Sequence, residues 1–101
     1  MMLDTLIDEV RQRAAISPKL GFRVRLDLDG AGVIAIDGTA MPPAVSQDGD
    51  DDADATLKMS AESLSKLLDG SLDPTLAFMT GKLKVSGSMA AALKMAQMLE
   101  E

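Results

Sequence analysis

The strongest constraint on the fold is the alternation of apolar and polar residues in FRVRLDLDGAGVIAID, positions 22–37. Apolar residues occupy positions 22, 24, 26 and 28, and charged residues lie between them. Because successive side chains of a strand point to opposite faces, this pattern predicts a strand with one buried face. The dipeptide DG at 29–30 is a tight-turn signal, so VIAID (33–37) is predicted to be the returning strand of a hairpin. A hairpin with one apolar face needs further elements to cover that face.

The rest of the chain predicts these covering elements. Apolar residues at helical spacing predict an amphipathic helix over MLDTLIDEVRQRAA (2–15). DATLKMS (54–60) and KLKVS (82–86) alternate as strands, and MPPAVS (41–46) can form a short edge strand, where proline is tolerated. Three further helices are predicted to begin at the N-caps Ser60, Asp73 and Ser88, and glycines at 70 and 81 are predicted to end the first two.

Composition excludes several kinds of function. Ten basic and sixteen acidic residues give a net charge of −6, which argues against a nucleic-acid partner and against attraction to an anionic membrane. Without His or Cys, the chain cannot form a Ser-His-Asp triad, a His metal site or a thiolate nucleophile, so we expect neither enzyme activity nor a cofactor. The length of 101 residues predicts one domain over 1–101. With no secretory segment and no apolar run near 18 residues, we expect a cytoplasmic protein.

The acidic run DGDDDAD (48–54) resembles the start of a calcium-binding loop, in which Asp occupies alternate positions. Counting from Asp48, however, the required glycine is replaced by Ala53 and the bidentate glutamate by Met59. We therefore expect a solvated, mobile loop here and no metal site.

The last predicted helix has an apolar face that is wider than one sheet face requires. At 100° per residue, Lys94, Gln97 and the glutamates at 100 and 101 fill an arc of about 120°, and the rest is apolar. The helix is therefore either wedged between other elements or in contact with something that this chain does not supply. Core packing, a dimer contact and a bound ligand remain open.

The segment LLDGSLDPTLAFMTGKLKVSGSMAAALKM (67–95), with DATLKMSAESLSKLL (54–68) before it, resembles the sterol carrier protein-2 (SCP2) family of lipid-binding domains. Its shared features are a Gly-x-Leu-x-Pro turn, an Ala-Phe-Met helix, a Gly-Lys-Leu-Lys-Val strand and an amphipathic last helix. The resemblance covers about residues 54–99, and the N-terminal half agrees only in pattern. Thr80 stands where some members carry Gln, and the C-terminal residues lack the peroxisomal signal of the eukaryotic carriers.

The resemblance implies an α+β fold: a mixed five-stranded β-sheet with helices packed on one face around a hydrophobic tunnel. Family members hold lipids in this tunnel without chemistry, so the chain is expected to be a non-catalytic carrier of a fatty acid, acyl-CoA, sterol or isoprenoid lipid. For each matching residue, plain core packing is the alternative to ligand contact. The residues matched to the inward, ligand-binding side are Leu57, Met59, Leu67, Leu68, Phe78, Met79, Leu83, Val85, Met89, Ala92, Leu93 and Ala96.

Two other functions remain open. One is an accessory protein that presents a lipophilic intermediate to partner enzymes, as in quinone biosynthesis, and the other is a dimerising interaction module with a solid core. The expected partners are accordingly an apolar lipid, a membrane in at most transient contact, and a homodimer or a partner enzyme.

Overall fold

The computed structural model describes residues 2–16, 20–41, 43–47 and 53–99 of the chain. Its elements are α1 (Met2–Ala15), β1 (Arg23–Asp27), β2 (Val33–Asp37), β3 (Ala44–Gln47), β4 (Ala55–Lys58), α2 (Ala61–Asp69), α3 (Pro74–Met79), β5 (Lys84–Gly87) and α4 (Met89–Leu99). Every helix and strand predicted from the sequence is present, including the edge strand near 41–46. Residues 48–52 of the acidic run lie outside the described residues, so its mobility stays a prediction.

The five strands form one mixed sheet in the order β3-β2-β1-β4-β5. β1 pairs antiparallel with β2 and parallel with β4, and β5 pairs antiparallel with β4. Val24 lies beside Ala55 and Leu26 beside Leu57, so the alternating apolar residues of these strands share one face. The mixed five-stranded sheet and the α+β class are therefore confirmed.

The β1–β2 hairpin contains the turn that the DG dipeptide predicts. Asp29 and Gly30 have φ angles of 46° and 86°, and the Ala31 N–H donates to the Leu28 carbonyl at 2.9 Å. Two central residues with positive φ are typical of a type I′ turn, whose twist suits a hairpin, and Asp and Gly tolerate this conformation. The turn sets a register that keeps the apolar residues of both strands on one face.

Helices cover this apolar face of the sheet. The side chains at 24, 26, 28, 34 and 36 are buried, whereas those between them are partly or fully exposed. α1 packs against β3 and α2, and α4 lies over β4 and β1. The Arg13 guanidinium donates to the Leu68 carbonyl at 2.6 Å and so ties α1 to the last turn of α2. The core therefore lies between the helices and one face of the sheet.

The predicted caps fix helices α2 and α3. The side chains of Ser60 and Asp73 accept backbone N–H groups of the first helical turns, at 3.0 and 2.8 Å respectively. Gly70, with a φ of 84°, ends α2 as predicted. α3 ends at Met79, two residues before Gly81, a shift within the usual uncertainty of helix ends. These two short helices bring the chain from the end of β4 to the start of β5.

β5 joins α4 through a glycine in a restricted position. Gly87 has a φ of +84°, and a Cβ there would lie 2.4 Å from the Asp54 carbonyl oxygen. The Ser88 N–H donates to the same carbonyl at 2.9 Å, and the Ser88 Oγ accepts the Ala91 N–H at 3.2 Å. α4 therefore begins at a fixed point beside the start of β4.

Candidate lipid-binding site

The twelve residues implied by the resemblance are divided between the core and the surface. Seven are buried: Leu57, Met59, Leu67, Leu68, Leu83, Ala92 and Ala96. Val85 on β5 is half-buried and packs against the core. The remaining four are between 43% and 75% exposed: Phe78, Met79, Met89 and Leu93. These four side chains therefore lie at the surface and outside the core, and contact of any of the twelve with a ligand stays a prediction.

The phase of the two helices explains this exposure. α3 buries Pro74 and Ala77, so the side chains on its opposite side point to solvent. Each residue turns the helix by about 100°, so the buried residues of α4 share one arc, and Met89 and Leu93 fall on the flank beside it. The wide apolar arc of α4 is thus split into an exposed flank and a buried, alanine-rich strip. That strip consists of Ala91, Ala92, Met95, Ala96 and Leu99.

A cleft of about 310 Å³ opens where α4, β1 and β4 begin. Phe22, which continues the buried side of β1, is half-buried and packs against the core. Ala90 and Ala91 form the wall on α4. This volume is at the lower end of the range for small-molecule pockets, roughly 300–1,000 Å³. The complete lining is Gly21, Phe22, Asp54, Ser88, Ala90, Ala91 and Lys94.

Polar groups of the cleft come from three of its lining residues. The Asp54 carboxylate accepts the Arg23 N–H at 2.9 Å, and the Ser88 hydroxyl caps α4. Lys94 is exposed and forms no ion pair within the part of the chain that the structure describes. The cleft therefore combines an apolar wall with an ammonium group that is available to an anionic ligand.

A second cleft, of about 260 Å³, lies on the face of the sheet that the helices leave uncovered. Its wall contains Arg23 and Asp37, whose Nε and Oδ1 atoms are 3.6 Å apart. The hydroxyl and the N–H of Thr39 both donate to the Asp37 carboxylate and, with Arg23, hold the pKa of that carboxyl below its ordinary value. These charged groups already have partners, so neither is free to pair with the head group of a ligand. Its full lining is Arg23, Val24, Ala35, Ile36, Asp37, Ala44, Ser46 and Ala53.

The described ranges contain neither a cluster of metal ligands nor a membrane-spanning helix. Within those ranges, no group of three or more His, Cys, Asp or Glu side chains could hold a metal ion. No helix within the same ranges is long and apolar enough to cross a membrane. The side chains around the first cleft offer apolar contact, one carboxylate, one hydroxyl and one ammonium group.

Sequence reasoning missed the first cleft because its residues are distant in the chain. Phe22 and Asp54 meet only because β1 pairs with β4, and the Asp54 N–H donates to the Arg23 carbonyl at 2.8 Å beside the cleft. The one local signal was Phe22, the first apolar residue of the alternating segment. Nothing in the spacing of Phe22 indicates that it lies beside Ala90 and Ala91.

A sequence model of the SCP-2 sterol transfer family matches residues 3–100. The chain belongs to this family. This SCP-2 family member superposes on palmitated SCP2L2 from Aedes aegypti with a TM-score of 0.83, at 22% identity, over 100% of this chain and 96% of that chain. It superposes on a UbiJ-SCP2 ubiquinone synthesis protein with a TM-score of 0.70, at 20% identity, over 96% of this chain and 87% of that one. At these identities the two likenesses show a shared fold.

This chain is also similar in sequence to a short part of a much longer protein. Hydroxysteroid dehydrogenase-like protein 2 from Bos taurus is 43% identical over 51 residues, which is 50% of this chain and 12% of that protein. This SCP-2 family chain therefore corresponds to a small part of the relative that it matches.

Proposed function

We propose that this chain is a non-catalytic lipid-binding domain that takes up a fatty acid, acyl-CoA, sterol or isoprenoid lipid between α4 and the sheet. The observation that carries the proposal is the alanine-walled cleft, which opens at one end of the space between α4 and the sheet in a chain of the SCP-2 sterol transfer family. The palmitated neighbour from Aedes aegypti makes a long-chain fatty acid the first ligand to test. The cytoplasmic location inferred from the sequence remains part of this proposal.

The packing of α4 allows an apolar chain to extend the cleft into the tunnel that the family resemblance implies. Ala91, Ala92 and Ala96 are buried beneath this helix, and each presents only one methyl group. Separating the three alanine methyl groups from the sheet costs about 2–3 kcal/mol, and Met95 and Leu99 of the same strip would add about 3–6 kcal/mol if the whole helix moved away. A ligand that buries eight methylene groups gains about 6 kcal/mol, which is enough for a movement that leaves Met95 and Leu99 in place. Binding therefore offsets a small outward movement of α4, in which the ligand replaces the lost contacts.

The rim of the cleft favours a ligand with an anionic head group. The Lys94 ammonium faces solvent beside the apolar wall, where it can meet a carboxylate or a phosphate. The Asp54 carboxylate, which also lines the cleft, accepts the Arg23 N–H at 2.9 Å. We expect a fatty acid to lie with its carboxylate near Lys94 and its chain beneath α4.

Two alanines provide a matched test of the cleft. Ala90 and Ala44 are both exposed, and each lines one of the two clefts. Titration with a fluorescent fatty acid should show weaker binding for Ala90→Trp, because its indole occupies ligand space, and unchanged binding for Ala44→Trp. Equal affinity of the two variants would contradict the location of the site. A protein that yields no lipid on mass spectrometry and takes up no fatty acid would contradict the function itself.

One observation favours a second function, presentation of a lipophilic compound to an enzyme. The Bos taurus relative bears a dehydrogenase-like name, and this chain matches 12% of its length. A free carrier should accelerate movement of fluorescent fatty acid between vesicles in proportion to its concentration. A presenting domain should bind the same probe and leave that rate unchanged. A strict dimer without lipid uptake would instead identify an interaction module with a solid core.

A further inference from the structure

The two edges of the sheet differ in how they are covered. β3 forms one edge and β5 forms the other. α1 packs against β3, and the Arg11 guanidinium donates to the Val45 carbonyl of that strand at 3.4 Å. At the other edge, three of the four residues of β5 are exposed. An uncovered edge strand presents unpaired N–H and C=O groups to any chain that can pair with them.

The ladder between β4 and β5 determines which backbone groups face this free edge. The Met59 N–H donates to the Asp27 carbonyl at 2.9 Å, so the alternate residues of β4 that share its direction, including Leu57, face β1. Val85 lies opposite Leu57 in the antiparallel register, so these two residues form a pair without hydrogen bonds between them. The N–H and the C=O of Val85 therefore point away from β4, toward the free edge.

On the face of the sheet that the helices leave uncovered, β5 carries a lysine in an unfavourable position. Lys58 of β4 and Lys84 of β5 are direct cross-strand partners, and like charges in this position are destabilising. The Lys58 ammonium lies 4.0 Å from an Asp29 carboxylate oxygen, whereas Lys84 forms no ion pair within the described ranges. A carboxylate on the outer side of β5 would therefore give Lys84 the partner that the fold does not supply.

The opposite side of the same edge, toward the helices, is apolar. Val85 alternates with Lys84, so its side chain points toward the helices and packs against the core. Lys94 marks the side of α4 that faces the cleft beside β1. Met89 and Leu93 lie roughly 100–140° around the helix from Lys94, on the flank toward β5, and are 45% and 48% exposed. The free edge thus lies between an apolar flank and an unpaired ammonium group.

We propose that β5 accepts an extended acidic segment of a partner protein as an additional strand. One residue of that segment exchanges two backbone hydrogen bonds with Val85 and directs an apolar side chain toward the exposed flank of α4. The residues on either side of it point to the opposite face, where their carboxylates meet Lys84. The proposal does not rest on the lipid-carrier function, because strand addition needs no ligand in the cleft.

A second copy of this chain fits the edge less well than an acidic segment does. Two β5 strands side by side would bring Lys84 of both copies onto one face without an acid between them. The other edge strand, β3, has the sequence AVSQ and offers no carboxylate to Lys84, and its Val45 carbonyl already accepts from Arg11. Charge complementarity therefore favours a partner whose strand alternates apolar and acidic residues.

The charge requirement can be tested with two short fluorescein-labelled peptides, one alternating valine with glutamate and the other valine with lysine. Fluorescence anisotropy measures their binding. Lys84→Glu should weaken binding of the valine–glutamate peptide about fivefold or more and strengthen binding of the valine–lysine peptide. The fold should remain at least as stable, because the substitution converts the like-charge pair with Lys58 into an opposite-charge pair. Lys66→Glu changes the net charge equally at an exposed position of α2 and should leave both affinities nearly unchanged.

Hydrogen exchange distinguishes strand addition from a purely electrostatic contact. In the free protein, the Val85 N–H should exchange faster than the Ser86 N–H, which faces β4. The valine–glutamate peptide at about ten times its Kd should slow exchange of the Val85 N–H about tenfold. Val85→Pro removes this outward N–H, a change that an edge strand tolerates, and should weaken peptide binding, whereas Val85→Thr should retain it. If Val85→Pro does not fold, the exchange rates of the unsubstituted protein still decide the question.

Several results would overturn the proposal. These are no binding of the valine–glutamate peptide, equal binding of the two peptides, equal losses for Lys84→Glu and Lys66→Glu, or an exchange rate of the Val85 N–H that the peptide does not change. A protein that dimerises without peptide and already has a slowly exchanging Val85 N–H would identify a second copy as the occupant of the edge, and this result would also overturn it.

Discussion

Two neighbouring alanines of α4 can distinguish an open cleft from a solid core. Both side chains are buried, Ala91 at 5% and Ala92 at 1% exposed, but of the two only Ala91 lines the cleft. Ala92→Trp forces an indole into closely packed side chains, and such overpacking costs about 1–3 kcal/mol. For a domain of this size, each kcal/mol lowers the Tm by about 4–8 °C, so we expect a decrease of roughly 4–24 °C. The indole of Ala91→Trp can occupy the cleft, so its Tm should change by only a few degrees.

Both variants should bind lipid more weakly, although only Ala92→Trp should be strongly destabilised. If the indole of Ala91→Trp excludes three methylene groups of a fatty acid, binding loses about 2.4 kcal/mol, or roughly 50-fold in Kd. Ala92→Trp leaves the mouth of the cleft open but fills the space beneath α4 into which the chain is proposed to extend, so at a temperature where it is folded it should also bind fatty acid more weakly. A thermal melt and a fluorescent fatty-acid titration on the same preparations measure the Tm and the Kd. The reasoning is refuted if Ala91→Trp is as destabilised as Ala92→Trp, or if it binds fatty acid normally.

Three smaller perturbations test the local geometry. In a urea melt, Gly87→Ala should lower the free energy of unfolding more than Gly30→Ala does. Both glycines have a positive φ, which costs an alanine about 1–2 kcal/mol. Only at position 87 would the added Cβ also clash with a backbone oxygen. Equal losses would show that the chain can shift away from this clash. Ser60→Ala removes the N-cap of α2, so its free energy of unfolding should be about 1 kcal/mol lower by the same measurement. An unchanged urea midpoint would show that Ser60 does not stabilise the helix as its N-cap. Thr39→Val should raise the pKa of Asp37 toward its ordinary value, as an NMR titration would detect. Because the folded-state pKa of Asp37 is lowered, this carboxyl stabilises the fold above its unfolded-state pKa, near 4, and that contribution is lost as the pH falls through the folded-state pKa. The free energy of unfolding of Thr39→Val should therefore depend less on pH in the acid range than that of the unsubstituted protein. An unaltered pKa of Asp37 would contradict the role of the hydroxyl.

The helices and strands could be predicted from the sequence because their signals are local. Alternation identified β1, the DG dipeptide identified the β1–β2 turn, and Ser60 and Asp73 identified two helix starts. The strand order is different, because the parallel pairing of β1 with β4 joins segments separated by a hairpin and an edge strand. No local pattern encodes that pairing, so the order β3-β2-β1-β4-β5 could be expected only through the family resemblance.

The candidate site could be predicted less completely than the fold. Periodicity shows that a helix has an apolar face, but it does not show which part of that face meets a neighbour. The resemblance matched all four of Ala92, Ala96, Met89 and Leu93 to the inward side, but the first two are buried and the last two are 45% and 48% exposed. Phe22 was missed because a cleft between distant segments has no signature in spacing.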